Sequence, residues 1–197
     1  MVSKWLRTEL VKTMRLLRFL LLLIAFGFAV SVSAQSMPVV WISGEITQAK
    51  ADSVSSLISQ IRKTEPRDIY VGIESEGGSI RAALDIAACL AALQPDNTVH
   101  TRSTDKAAGA AAVILASGSK GYRTAGPRTR IMIHHPEQSD NASLTAEQLA
   151  AADAEMVSLL TRATGHSEDD IRSNIDGCDS WFLPDAAAVF GLIDRVK

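Results

Sequence analysis

Residues 69–87 read IYVGIESEGGSIRAALDIA, and the reading of this stretch decides the fold. Ile69 to Ile73 is rich in β-formers and too short for a helix, which predicts a buried strand. Glu76-Gly77-Gly78 predicts a sharp turn, with Gly78 free to take a positive φ that a side chain would resist. Ser79 then starts a helix as its cap, and the apolar run behind it continues to residue 93 and is stopped by Pro95. Strand, glycine turn and helix in direct succession form the first part of a βαβ unit, whose next strand lies parallel to the first.

Working outward, the same alternation continues. Val39 to Ile46 (VVWISGEI) reads as a strand and turn. Residues 48–64 place Ala51, Val54, Leu57, Ile58 and Ile61 at helical spacing. Thr98 to Thr101 and Ile131 to Ile133 read as further short strands, and residues 106–117 as an Ala-rich helix closed by Gly118 and Gly121. Thr145 with Gln148, and Ser167 with Asp170, have the spacing of capping boxes for helices that follow. A last Ala-rich helix runs from Pro184 to Gly191. The expected class is α/β, a single domain with a parallel sheet and helical crossovers.

That domain is expected to begin at residue 35. Residues 1–18 carry Lys4, Arg7, Lys12, Arg15 and Arg18 against Glu9 alone, residues 19–30 are continuously apolar, and Val32-Ser33-Ala34 offers a small-residue cleavage site. This is the composition of a signal peptide over residues 1–34, with cleavage after Ala34 and a periplasmic or secreted destination; an uncleaved N-terminal membrane anchor is the alternative. Of the chain's 20 basic and 22 acidic residues, 15 and 21 lie beyond the leader. Such an acidic domain argues against nucleic acid as a partner. No residue spacing suggests a metal site or cofactor. Of the two cysteines, Cys89 falls in an apolar helical run where a buried free thiol is expected, and Cys178 leaves a disulfide open.

Four blocks carry a resemblance: IYVGIESEGGSIRAALDIA (69–87), KAAGAAAVILASGSKGYR (106–123), RTRIMIHHP (128–136) and DSWFLPDAAAVFGLID (179–194). In this order they resemble the ClpP proteolytic subunit over about residues 39–197. The resemblance implies a ClpP/crotonase-like fold of repeated ββα units and assembly into a homo-oligomeric ring. It also implies His134 as base, Asp179 as the acid that orients it, and the amides of Gly78 and Ala110 as oxyanion donors. The family's serine falls on Gly109. Glu76 replaces the proline usual before the Gly-Gly pair. Clp chaperones are ATP-driven AAA+ proteins of the cytosol, so an exported member is not expected to work with one.

Glycine has no atom with which to attack a carbonyl, so hydrolysis through position 109 is excluded by chemistry. Three readings follow. The first is a non-hydrolytic homologue that binds peptides or unfolded segments, or serves as a ring subunit. The second is a hydrolase using His134 and Asp179 with a relocated nucleophile or a held water. Ser79, Ser103, Ser117, Ser119 and Cys178 are the candidates, Ser79 reading better as a cap and Ser117 and Ser119 lying two turns or more past Gly109. The third is a crotonase-like enzyme acting on thioesters without a serine; the short chain and the want of a basic nucleotide site count against it.

Overall fold

The computed structural model describes residues 37–63, 68–177 and 179–197. The leader expected over residues 1–34, and Cys178, lie outside them. In chain order the elements are β1 (Val39–Ser43), α1 (Gln48–Arg62), β2 (Asp68–Glu74), α2 (Ile80–Leu93), β3 (Thr98–Ser103), β4 (Lys106–Ala108), α3 (Ala110–Ala116), β5 (Arg123–Ala125), β6 (Arg130–Ile133), α4 (Ala146–Thr164), α5 (Glu168–Ile175), β7 (Ser180–Phe182), α6 (Pro184–Phe190) and β8 (Arg195–Val196), with a 3-10 turn at Ser139–Asn141. No helix among the described residues is long and apolar enough to cross a membrane.

Two sheets share the strands. The larger is parallel throughout, in the order β1-β2-β3-β5-β8; the smaller has the order β4-β6-β7, with β4 and β6 parallel and β7 antiparallel to β6. Alternate residues of the large sheet, among them Val40, Ile42, Ile69, Val71, Ile73 and Val99, are buried under the helices. The intervening residues are open to differing degrees: Trp41 is exposed, while Tyr70 is half-buried and stacks on His100 at 4.1 Å between ring centroids. The 69–73 strand is therefore covered on its core face only. Gly72 is required on the other face, because a Cβ there would stand 2.0 Å from the Trp41 ring.

Ala51, Val54, Ile58 and Ile61 form the buried stripe of α1, whereas Leu57 is exposed. Both expected capping boxes are present, with Thr145 opening α4 and Ser167 opening α5. Cys89 is half-buried with a free thiol 3.2 Å from the Ser55 hydroxyl.

One expectation fails informatively. Residues 106–117 are not one helix: Lys106–Ala108 is a strand, Gly109 is a turn residue, and only Ala110–Ala116 is helical. Glu74 causes the break. Its carboxylate accepts the backbone N–H groups of Thr104 (2.7 Å), Asp105 (2.9 Å) and Lys106 (3.1 Å), and the Thr104 hydroxyl (2.5 Å). The chain is thereby steered from β3 into the second sheet. Partial burial pushes the Glu74 carboxyl upward, but these donors outweigh it and hold it below the usual carboxylate value.

Candidate active site

Strand register builds the site. β4 pairs with β6 as Ala107 with Ile131 and Ala108 with Met132, and the Gly109 N–H donates to the Met132 carbonyl at 3.0 Å. The residue after each strand therefore emerges at the same sheet end. β6 also pairs with β7, Ile133 opposite Ser180, so the residue before Ser180 emerges beside the residue after Ile133. Gly109, His134 and Asp179 are brought together by backbone pairing from three separate segments.

The geometry at Gly109 is that of a sharp strand-to-helix elbow, with φ 52° and ψ −118°. A Cβ added there would lie 2.6 Å from His134 Nε2. The imidazole thus stands over the place a side chain at 109 would leave from. On its far side, His134 Nδ1 is 3.4 Å from Asp179 Oδ1 and 3.9 Å from Glu137 Oε1, and the ring is largely buried. Glu137 has no signal in the sequence beyond its spacing from His134.

The glycine turn is pinned on the other side of the elbow. Gly78 bridges to Ile46, with Ile46 N–H donating to Gly77 O at 2.8 Å and Ser79 N–H to Ile46 O at 2.8 Å; Ser75 bridges to Ala107. A Cβ built on Gly77 would meet Ala108 O at 2.9 Å and Ala110 N at 3.5 Å, so the Gly77-Gly78 turn lies against the start of α3. Among the described residues, neither the Gly78 nor the Ala110 N–H donates to a protein acceptor outside regular helix bonding. Two amides are therefore free for a polar atom of a bound chain.

Replacing Gly78 by alanine is expected to cost about 2 kcal/mol or more, because its φ is 128° and the Cβ would stand 2.6 Å from Ile46 O and 2.9 Å from Ile46 N. A urea midpoint moved by less than the equivalent of ~0.5 kcal/mol would show that the turn relaxes freely.

Glu76, the unusual residue before the glycines, is paired with Lys106 at the start of β4, which partly offsets its charge beside the turn. Asn141 is a contributor that no motif announced. It is buried, accepts the Ile80 N–H on Oδ1 at 3.0 Å, and donates to Glu137 O at 2.8 Å. It thus ties the loop after His134 to the start of α2.

Three of the substitute nucleophiles are engaged elsewhere: Ser79 caps α2 through Ala82 N–H, Ser117 Oγ donates to Ile114 O at 2.7 Å, and Ser119 Oγ accepts the Val99 N–H at 3.0 Å. Ser103 is fully buried on β3, its hydroxyl without a hydrogen-bond partner among the described residues, and Cys178 lies outside them. Among the described residues no group of three His, Cys, Asp or Glu side chains has the geometry to hold a metal ion.

Comparison with known proteins agrees with this frame. The Clp protease family model matches residues 28–197. ATP-dependent Clp protease proteolytic subunit 3 of Frankia casuarinae is 33% identical over 164 residues, covering 80% of this chain and 76% of the relative. Proteolytic subunit 1 of Shouchella clausii is 32% identical over 165 residues, covering 80% and 83%. Among solved structures, a point mutant of ClpP1 from Listeria monocytogenes superposes with a TM-score of 0.72 at 27% identity, over 81% of this chain and 90% of that one.

Proposed function

Since the chain belongs to the Clp protease family, we propose that it is an exported, non-hydrolytic member that binds extended peptide segments as a subunit of a homo-oligomeric ring. Gly109 carries this reading. The base and its acid partner stand where they would activate a hydroxyl, His134 Nε2 faces position 109, and position 109 supplies no hydroxyl. Loss of the nucleophile from a Ser-His-Asp triad removes on the order of 10⁶ of the rate, leaving only what oxyanion binding and positioning provide.

Binding survives that loss. The free amides at Gly78 and Ala110 suit a peptide carbonyl. Exposed Trp41, Val39, Leu183 and Val189 supply apolar surface for contact with further copies. The basic-then-apolar composition of residues 1–34 supports export, and with it a life apart from ATP-driven chaperones.

A second reading, hydrolysis by a relocated nucleophile or by water held on His134, draws on the retained His134–Asp179 pair. Hydrolysis of a fluorogenic peptide by the purified protein, beside His134→Ala, separates the two. Silence in both, with retained binding of the same peptide made non-fluorogenic, is the expected result. Turnover abolished by His134→Ala would overturn the first reading in favour of the second.

A further inference from the structure

The histidine next to the site is more heavily bonded than the site histidine itself. His134 and His135 follow β6 and turn to opposite sides, as successive extended residues do. His135 Nδ1 lies 2.7 Å from Asp153 Oδ1 on α4, and its Nε2 lies 2.7 Å from Asp176 Oδ1, just past α5. A carboxylate only accepts, so two such contacts require a proton on each ring nitrogen. The ring between these acids is an imidazolium.

Its place in the chain gives the cluster a consequence. Asp176 ends α5 in extended conformation, Gly177 turns the chain at φ 79°, and Ser180 enters the sheet opposite Ile133. The segment that leads to Asp179 is thus held at Ser180 by sheet pairing and by the Ser180 hydroxyl donating to Asn174 O, and at Asp176 by His135.

We propose that His135 is a positioning residue: as an imidazolium it joins Asp176 to Asp153, and by fixing Asp176, three residues before Asp179, it helps to keep Asp179 facing His134; loss of its proton frees Asp176. The inference concerns the pairing of His134 with Asp179, and stands whether or not the protein cleaves anything.

The neighbouring charges decide which arm opens. His135 is faced by Asp153 from α4, by Asp176 beyond α5, and, through Asp153, by Arg172 of α5; His134, Glu137 and Asp179 lie on the site side. Asp153 is the more buried acid, and its second oxygen is held by Arg172 Nη1 at 3.2 Å. Asp176 is exposed and, among the described residues, its carboxylate bonds His135 alone. A neutral ring therefore keeps its Nδ1–H on Asp153 and turns a lone pair toward Asp176, which lets go. Burial opposes the charged ring, but the bonds to Asp176 and Asp153 outweigh it and hold His135 above the ordinary histidine value of 6.5. The raised value means the clasp is complete below that ordinary value and is lost as pH rises through the folded one.

Trp181, two residues past Asp179, reports on the placement of Asp179. The full chain carrying 5-fluorotryptophan is followed by fluorine NMR from about pH 5 to about pH 9. A single pH step of the Trp181 signal is expected in the unmodified protein and in His134→Gln, and is expected to vanish in His135→Gln and Asp176→Asn, with Trp41 taking no part. Asp176 is exposed, so Asp176→Asn reads out even where the histidine variant folds poorly. A step that survives in His135→Gln, one lost in His134→Gln, or a Trp181 signal unmoved across the range would each overturn the proposal.

Discussion

Gly109→Ser is expected to turn a silent protein into a peptidase, with turnover rising on the order of a thousand-fold or more above background. The hydroxyl would leave from a backbone that already has the elbow geometry, and the atom nearest its Cβ is the acceptor a serine proton needs, His134 Nε2 at 2.6 Å. That separation is too short for a real Cβ, so the ring must withdraw by several tenths of an ångström toward Asp179. The imidazole is the free end of a side chain, which makes the shift cheap. The φ of 52° adds strain for any L-residue, and a stability loss of about 1–2 kcal/mol is expected. Activity in Gly109→Ser that is abolished by adding His134→Ala would show that the surrounding site lacks only its hydroxyl. A folded but inert Gly109→Ser would sink the idea, and would locate the defect in the oxyanion amides or in the 3.4 Å contact between His134 and Asp179.

The largest stability effect is expected far from that site, at Asp194. Its Oδ2 accepts the Gly121 N–H (2.7 Å), the Arg123 N–H (3.0 Å) and Arg123 Nε (2.9 Å), while Oδ1 accepts Arg123 Nη2 at 2.6 Å. The Arg123 side chain is only 2% exposed, and its Nη1 also donates to Ala163 O at 3.0 Å, so the pair joins β5, the end of α4 and the start of β8. Asp194→Ala leaves a buried guanidinium without its counter-charge, and about 3–5 kcal/mol should be lost. That is a large part of the ~5–15 kcal/mol that holds an ordinary domain together.

Replacing both partners, Arg123→Met with Asp194→Leu, should recover much of the loss, because no charge then remains buried. Urea unfolding of the three proteins checks this, and an Asp194→Ala shift below ~1 kcal/mol would contradict it. The pH dependence has a definite sign. Burial pushes the Asp194 carboxyl upward, but the bonds to Arg123 and Gly121 prevail and hold it below its ordinary value of 3.8. Its contribution is therefore present above that ordinary value and fades as pH falls through the lower, folded one.

Much of this molecule was legible along the chain because the signals are local. Periodicity placed α1 and α2, and cap chemistry placed α4 and α5, since a cap and its helix are three residues apart. The Ala-rich stretch from 106 to 117 was misread for the complementary reason. Alanine packs into strand and helix alike, and what parts β4 from α3 is a carboxylate from Glu74, 32 positions before Lys106, together with pairing to β6. β5, β7 and β8 are two or three residues long, too short for any period to register.

By itself, then, the sequence determined the α/β class and the glycine turn, because both depend on residue type and near neighbours, and only through its resemblance to ClpP did it name the candidate site residues and the missing hydroxyl at 109. Only the tertiary structure decided that the ends of β4, β6 and β7 converge, that Asn141 braces the turn, and that His135 lies between two acids. Those are pairings between segments tens of residues apart, set by strand register and by where buried charges find partners, and neither is written in any short stretch of chain.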